Sequence, residues 1–133
     1  DGCASNNDLD LFGEMRSAAL VGKLVANDAA AMSAASVLRA ATMGSARALG
    51  WQDRIGSIEV GKQADLAAVD LGTIESQPVY NVVSQLIYAA GRHQVSDVWI
   101  AGVRKLRNRE LTGMDTTEIL NKARRWRERI ATA

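Results

Sequence analysis

The sequence is poor in the residues that usually anchor small-domain chemistry. It has one cysteine, one histidine and one proline in 133 residues. A lone cysteine, Cys3, cannot close an intrachain disulfide, and no cysteine-based zinc site can form. Cys3 reads as a packing residue. A lone histidine, His93, has no spaced partner, so it makes a poor metal site and reads as a surface side chain. No apolar run approaches the roughly 20 residues of a membrane span. Neither charge sign dominates: 16 basic residues face 15 acidic ones, for a net charge of +1. That balance gives no ground for a nucleic-acid or membrane partner. Two local basic runs, Arg104/Lys105/Arg107/Arg109 and Arg124/Arg125/Arg127/Arg129, read as solvated faces. The opening is polar and lacks both an initiator Met and a signal-peptide pattern. We expect a truncated start and a reducing, cytoplasmic setting.

What is present is a globular balance, with 47 % hydrophobic and 23 % charged residues. Residues 1–8 read as a loop. Asn7 or Asp8 caps a helix running to about Val25, with Leu11, Met15, Ala18, Gly22 and Val25 at helical spacing and Phe12 and Ala19 beside them. Asn27-Asp28 breaks it. Ser33 or Ser36 caps a second helix through Leu49, with Val37, Ala41, Gly44 and Ala48 on its buried face. Gly50 suits the left-handed position just past the end. Ile55–Val60 and Ala64–Leu71 read as strands between glycine turns. Val79–Ala90 fits a helical face better than alternation, and Pro78 favours a start there. Val95–Ile100 and Val103–Leu106 flank the hairpin signal Ala101-Gly102. Asp115 or Thr116 caps a last helix striped by Ile119, Ala123, Trp126 and Ile130. Trp51, Trp99 and Trp126 read as core or domain-interface residues. Asp65 reads as a local hydrogen-bonding group at a strand start.

Helices, then strands, then a helix do not make one self-contained wound domain. The order predicts an α/β class: the closing unit of a larger α/β body over 1–50, part of a separate small β domain over 51–110 with an intervening helix at about 79–91, and a C-terminal helix over 111–133.

The first residue is the chemically suggestive one. A carboxylate at the mouth of a barrel strand can bind a metal, accept a proton or cap a helix, and barrel enzymes place such groups at strand ends. Taken alone, Asp1-Gly2 is an ordinary turn. The surrounding residues say more. The run Asp1-Gly2-Cys3-Ala4-Ser5-Asn6-Asn7-Asp8, continuing to Arg16, resembles the segment after the eighth barrel strand of the 5-methylthioadenosine/S-adenosylhomocysteine deaminases, within the metal-dependent amidohydrolase superfamily. Ala40-Ala41-Thr42-Met43-Gly44-Ser45-Ala46-Arg47-Ala48-Leu49-Gly50 is similar to the superfamily's Ala-Thr-x-x-x-Ala-x-Ala-Leu-Gly helix, with Gly44-Ser45 where Asn-Gly is common. Ile55-Gly56-Ser57-Ile58-Glu59-Val60-Gly61-Lys62-Gln63-Ala64-Asp65-Leu66 resembles its Gly-Ser-Ile/Leu-Glu-x-Gly-Lys-x-Ala-Asp-Leu signature. Gln77-Pro78-Val79-Tyr80-Asn81 and Ser84-Gln85-Leu86-Ile87-Tyr88 resemble the deaminase branch, and Val98-Trp99-Ile100-Ala101-Gly102 the late hairpin.

The resemblance implies the closing portion of a (β/α)8 TIM-like barrel plus part of a small C-terminal β-sandwich. It implies a hydrolase that deaminates the adenine ring of a small-molecule nucleoside, using one divalent metal, zinc first among the choices. Asp1 matches the family's metal-ligating and catalytic carboxylate, which also meets the substrate. Ser5, Asn6 and Asn7 then lie near the site mouth, contacting the substrate ribose or stabilising the loop through side-chain–backbone hydrogen bonds. The other metal ligands match nothing in this chain, so the resemblance implies a missing N-terminal portion, inactivity of the piece alone, and a homo-oligomer. The alternatives are another amidohydrolase, of guanine deaminase or triazine hydrolase type, and a non-catalytic α+β interaction module. Cytidine-type zinc deaminases need His-x-Glu and Pro-Cys-x-x-Cys, which the sequence lacks.

Overall fold

A computed structural model describes residues 7–132. The first helix, α1, spans Leu11–Ala26. Its cap is Asp10, not Asn7 or Asp8: the Asp10 carboxylate accepts the Phe12 N–H at 3.0 Å, which satisfies one orphan donor of the first turn. Asn27, at φ 50°, ends the helix in the left-handed region. The buried face holds Met15 and Ala19, with Phe12 against them. Leu11, Ala18 and Val25, expected on the buried stripe, are exposed. Leu20, Val21 and Leu24 add to this second apolar face, which is also open.

Ser33 caps the next helical stretch, accepting the Ser36 N–H at 3.3 Å. That stretch is not a uniform helix. It runs as α2 (Ala34–Arg39), a π turn over Ala40–Gly44 and α3 (Ser45–Ala48). The wide turn adds a residue to the repeat, so burial passes from Val37 through Ala41 to Ala46. Gly44 is therefore only half-buried and Ala48 is exposed, against expectation. The Ser45 hydroxyl donates to Ala40 O at 2.9 Å, meeting a carbonyl inside the widened turn. At the end, Gly50 N–H bonds Arg47 O at 3.0 Å and Trp51 N–H bonds Ala46 O at 2.8 Å. That pair is a Schellman close with Gly50 at φ +69°, as expected for this glycine.

Ile55–Val60 is not a strand. Gly56 sits at φ +94°, and a Cβ there would lie 2.7 Å from Ala46 Cβ and 3.1 Å from Met43 Cα. The segment turns tightly against the π turn, and an extended strand cannot make that approach. The second expected strand is present as β1, Leu66–Val69. The helix foreseen at about 79–91 is shorter. As α4 it spans Val82–Tyr88, because Asn81 caps it by accepting the Ser84 N–H at 2.9 Å. Pro78, after a cis peptide bond, lies before this cap and not in the first turn.

β2 (Val95–Ile100) and β3 (Val103–Arg107) form the expected hairpin. Ile100 pairs with Val103, and Ala101 and Gly102 have φ 48° and 77°, the two positive values of a type I′ turn. A short fourth strand, β4 (Glu110–Leu111), follows a second two-residue turn at Asn108-Arg109. The four strands make an antiparallel sheet in the order β1-β2-β3-β4. The terminal helix, α5, covers Thr116–Ala131, and Asp115 caps it through bonds from the Thr117 and Glu118 N–H groups at 2.9 and 3.0 Å. None of its described residues is buried.

The core lies among α1, α2 and α4, where Met15, Ala19, Val37 and Ile87 pack together. Ile87 is fully buried, worth about 1.5–3 kcal/mol on the transfer scale. The molecule is thus mixed: a helical layer and a small antiparallel sheet. Trp99 is half-buried beneath the Arg104 guanidinium at 5.2 Å, but Trp51 and Trp126 are 48 % and 60 % exposed and belong to no core within this chain.

Candidate functional site

Asp1, Ser5 and Asn6, the residues singled out for metal, catalysis and substrate, lie outside the described residues. What is described is the way the loop behind them is fastened. Asp10 N–H bonds Asp8 O at 2.7 Å, making a tight corner. The Asp10 carboxylate then caps α1. One and a half turns on, the Arg16 guanidinium donates to Ala90 O at 2.6 Å and Ile87 O at 3.4 Å. These carbonyls lie at and just past the end of α4, where cations are favoured. The Arg92 guanidinium pairs with the Asp8 carboxylate, 84 residues back along the chain.

Arg92 stands on a short 3-10 turn, Arg92–Gln94, built on a buried amide. Gln94 is 2 % exposed. Its Oε1 accepts the Gly91 N–H at 3.0 Å, and its Nε2 donates to Ser76 Oγ at 2.6 Å and Asp70 O at 3.2 Å. The amide orientation follows from those partners, since only the oxygen can accept from Gly91. His93 beside it is exposed, as expected of a solitary imidazole.

Between the helical layer and the sheet runs an open apolar groove of about 480 Å³, bordered by Phe12, Leu38, Leu49, Ile55, Leu66 and Leu86. Among the described residues on its lining, Asp65 alone is ionisable. That carboxylate is engaged by the Ala101 N–H at 2.6 Å, which ties the start of β1 to the hairpin turn. The local role expected for Asp65 is the one it has.

The remaining charged groups build structure. In the segment 57–62, Ser57 Oγ donates to the Glu59 carboxylate, and Lys62 Nζ donates to Ser57 Oγ at 2.6 Å. The serine hydrogen bond first, then Lys62, holds the Glu59 carboxyl below its ordinary range. Asp97 is held low chiefly by the hydrogen bond from Arg104, aided by Ser96 and the Asn108 N–H. Asp70 is held low by the Gly72 N–H first and by Arg109 second. Arg104 and Arg109 are therefore tied to carboxylates on the sheet side, which the reading of their run as a solvated face did not foresee. The basic residues of α5 are exposed. Among the described residues no group of three or more His, Cys, Asp or Glu could hold a metal ion, and no helix is long and apolar enough to cross a membrane.

Residues 1–105 match the model of the amidohydrolase family. The chain belongs to that family. It is 50 % identical over 130 residues to a 5-methylthioadenosine/S-adenosylhomocysteine deaminase of Teredinibacter turnerae, covering 98 % of this chain and 29 % of that protein. A protein of the same name from Saccharophagus degradans is 42 % identical over the same shares. Among solved structures, an adenosine deaminase from Xanthomonas campestris with bound zinc superposes with a TM-score of 0.96 at 67 % identity, covering all of this chain and 30 % of that one. The atrazine chlorohydrolase TrzN of Arthrobacter aurescens, complexed with zinc, reaches 0.82 at 31 % identity, over 91 % of this chain and 27 % of that one. The amidohydrolase chain thus spans about three-tenths of the relatives it matches.

Reasoning from the sequence found the family's signature residues but missed the fastening of the loop. Arg92 and Gln94 carry no local signal that pairs them with Asp8 and Ser76, because these contacts close between segments far apart in sequence.

Proposed function

We propose that this chain is the C-terminal part of an enzyme that hydrolytically deaminates the adenine ring of 5-methylthioadenosine or S-adenosylhomocysteine. The observation that carries the reading is the match over nearly the whole chain to deaminases of that name, at 50 % and 42 % identity. The triazine reading is weaker, at 31 % identity. A stand-alone interaction module has less support still, since the chain matches relatives more than three times its length.

On this reading residues 1–50 close a (β/α)8 barrel, residues 51–110 belong to a small β-sandwich domain, and residues 111–133 form a C-terminal helix. The open face of α1 (Leu20, Val21, Leu24, Val25) supports it, because contiguous exposed apolar surface marks a site of burial against something else. The remaining polypeptide of the enzyme is the natural cover. A cytoplasmic homo-oligomer is the expected assembly.

The described residues cannot hold a metal by themselves. This chain fits a divalent ion only as the donor of one carboxylate, Asp1, with the other ligands supplied from outside it. Zinc is the ion named with both solved relatives. Such an ion, when bound, would lower the pKa of its water to about 7, making hydroxide available at neutral pH. On this reading the Asp1 carboxylate would be the ligand that this chain gives the ion, and it would take the proton of the attacking water and pass it to the departing ammonia. Ser5 and Asn6 face the substrate ribose or brace the loop.

The test is direct. A family-length polypeptide carrying this sequence should release ammonia from methylthioadenosine when loaded with zinc. Asp1→Asn should abolish both the activity and tight zinc retention. Full activity in Asp1→Asn would remove the assigned role of that carboxylate, and turnover of a triazine but of no adenine nucleoside would redirect the substrate class.

A further inference from the structure

We propose that the terminal helix α5 is a clasp. Its apolar stripe docks on the part of the family-length polypeptide that lies outside this chain, against an apolar surface that sets a carboxylate opposite Arg127. The inference rests on the reading of the chain as one part of a longer enzyme, and not on which nucleoside that enzyme takes. Ile119, Ala123, Trp126 and Ile130 recur at spacings of three and four and so share one face, with Leu120 at its edge. Ile119, Leu120, Trp126 and Ile130 are 49 %, 56 %, 60 % and 72 % exposed. No described residue of the helix is buried. A 16-residue helix is marginal in water by its own hydrogen bonds, and an amphipathic face is what tertiary packing uses to hold one.

The family relations indicate where the cover lies. The amidohydrolase model matches residues 1–105 and stops before α5, whereas the match to the Teredinibacter turnerae deaminase runs over 130 residues. The helix is thus shared with that deaminase and lies beyond the frame common to the family. The zinc-bound adenosine deaminase superposes on the whole chain, α5 included, at a TM-score of 0.96, and the chain covers 30 % of it. A helix that its own chain leaves unburied therefore keeps its pose in a protein more than three times as long. The additional polypeptide is the surface that fits it.

The charges of α5 favour that cover over lipid and over a second copy. Lys122, Arg124, Arg125, Arg127 and Arg129 outnumber Glu118 and Glu128, and Glu118 is already held by Lys122 at 2.7 Å. Arg127 stands four residues after Ala123 and seven after Leu120, which places it inside the apolar sector. A helix lying in a lipid surface keeps its cations on the polar face, so an arginine in that sector is out of place there. Against protein, one carboxylate satisfies it through a charge-assisted bond. Neither Glu118 nor Glu128 shares the sector, so a second α5 laid face to face would offer Arg127 no such partner.

The experiment follows amide exchange in the family-length, zinc-loaded enzyme at low and high protein concentration. Amides from Ala123 to Ile130 should exchange at least about a hundredfold more slowly than in a synthetic peptide of residues 112–133. Trp126→Ala and Arg127→Glu should each lose about tenfold or more of that protection. Arg125→Glu, on the opposite face, should keep it. The β2–β3 hairpin amides are the reference and should stay at the parent rate, which marks local undocking and not unfolding. Peptide-like exchange of α5 in the parent overturns the proposal, and that comparison holds even where a variant fails to fold. Full protection in Arg127→Glu overturns it as well. Protection that rises with protein concentration assigns the stripe to a second copy, and protection seen only with phosphatidylserine-containing vesicles assigns it to lipid; either result overturns the clasp. Ammonia release from methylthioadenosine is measured alongside. A protected α5 in an enzyme that deaminates no adenine nucleoside leaves the clasp standing and removes the substrate reading. Peptide-like exchange of α5 in an active deaminase removes the clasp alone.

Discussion

Replacing Gly56 by alanine should loosen the joint between the helical layer and the segment leading to the sheet. Two costs add. The backbone at φ +94° lies outside the regions that a residue with a Cβ occupies, a strain of about 1–3 kcal/mol. The new methyl would sit 2.7 Å from Ala46 Cβ, 3.1 Å from Met43 Cα and 3.3 Å from Thr42 O. Carbon atoms settle at about 3.5–4.0 Å, and forcing a methyl into a packed contact costs about 1–3 kcal/mol more. The sum is about 2–6 kcal/mol.

A global melting curve need not report one joint, so the assay should be local. Amide exchange at Ile55, whose N–H bonds Trp51 O at 3.0 Å, and at Gln63, whose N–H bonds Arg54 O at 2.8 Å, reports opening of this joint. Protection at both should fall at least about thirtyfold, the equivalent of the lower 2 kcal/mol. Adding Ala46→Gly should recover part of the loss by removing the nearest contact, while the φ strain and the Met43 contact remain. Protection within about threefold of the parent in Gly56→Ala would refute the close approach.

Gln94→Leu removes the amide that satisfies Ser76 and Gly91, and should cost about 1–3 kcal/mol of local stability, read as faster exchange at the Gly91 and Gln94 amides. Asp10→Ala removes the cap of α1 and should cost about 1 kcal/mol, read at the Phe12 amide. Asp97 has a carboxyl pKa lowered by Arg104, so the folded state binds its proton less readily than the unfolded state. Its contribution is present above the unfolded value, near 3.9, and is lost as the pH falls through the lower folded value. Asp97→Asn should therefore flatten the loss of hairpin protection below about pH 4, and an unchanged acid limb would refute the assignment.

Much of the architecture was legible because local chemistry and tertiary structure agree. Gly50 closes a helix where a left-handed residue is needed, Ala101-Gly102 supplies two positive φ values, and Asp115 with Glu118 marks the start of α5. Boundaries moved where competing caps stood close together, as Asp10 did against Asn7 and Asp8. The faces moved for another reason. The π turn at Ala40–Gly44 inserts a residue into the repeat, and a 3.6-residue template cannot anticipate it. The segment 55–60 has the alternation of a strand, but Gly56 and the Ser57–Glu59–Lys62 knot bend it into a turn. The site was suggested by resemblance alone, since Asp1-Gly2 taken by itself reads as an ordinary turn, and Arg92–Asp8 joins residues that no local pattern connects.

The residues that make this chain recognisable are not those that would carry the reaction. Gly56 lets the backbone approach Ala46 and Met43, Lys62 and Glu59 lock the turn through Ser57, and Asp65 ties β1 to the hairpin through the Ala101 N–H. The first task seats the segment on the helical layer, the second holds its turn and the third fastens β1 within the sheet, so all three are structural and none meets a substrate. The signature therefore argues strongly for the family and weakly for the substrate, which accords with a deaminase and a triazine hydrolase superposing on the same chain. Substrate identity must be read from residues that face the reacting ring. In this sequence the candidates for that role are Asp1, Ser5 and Asn6.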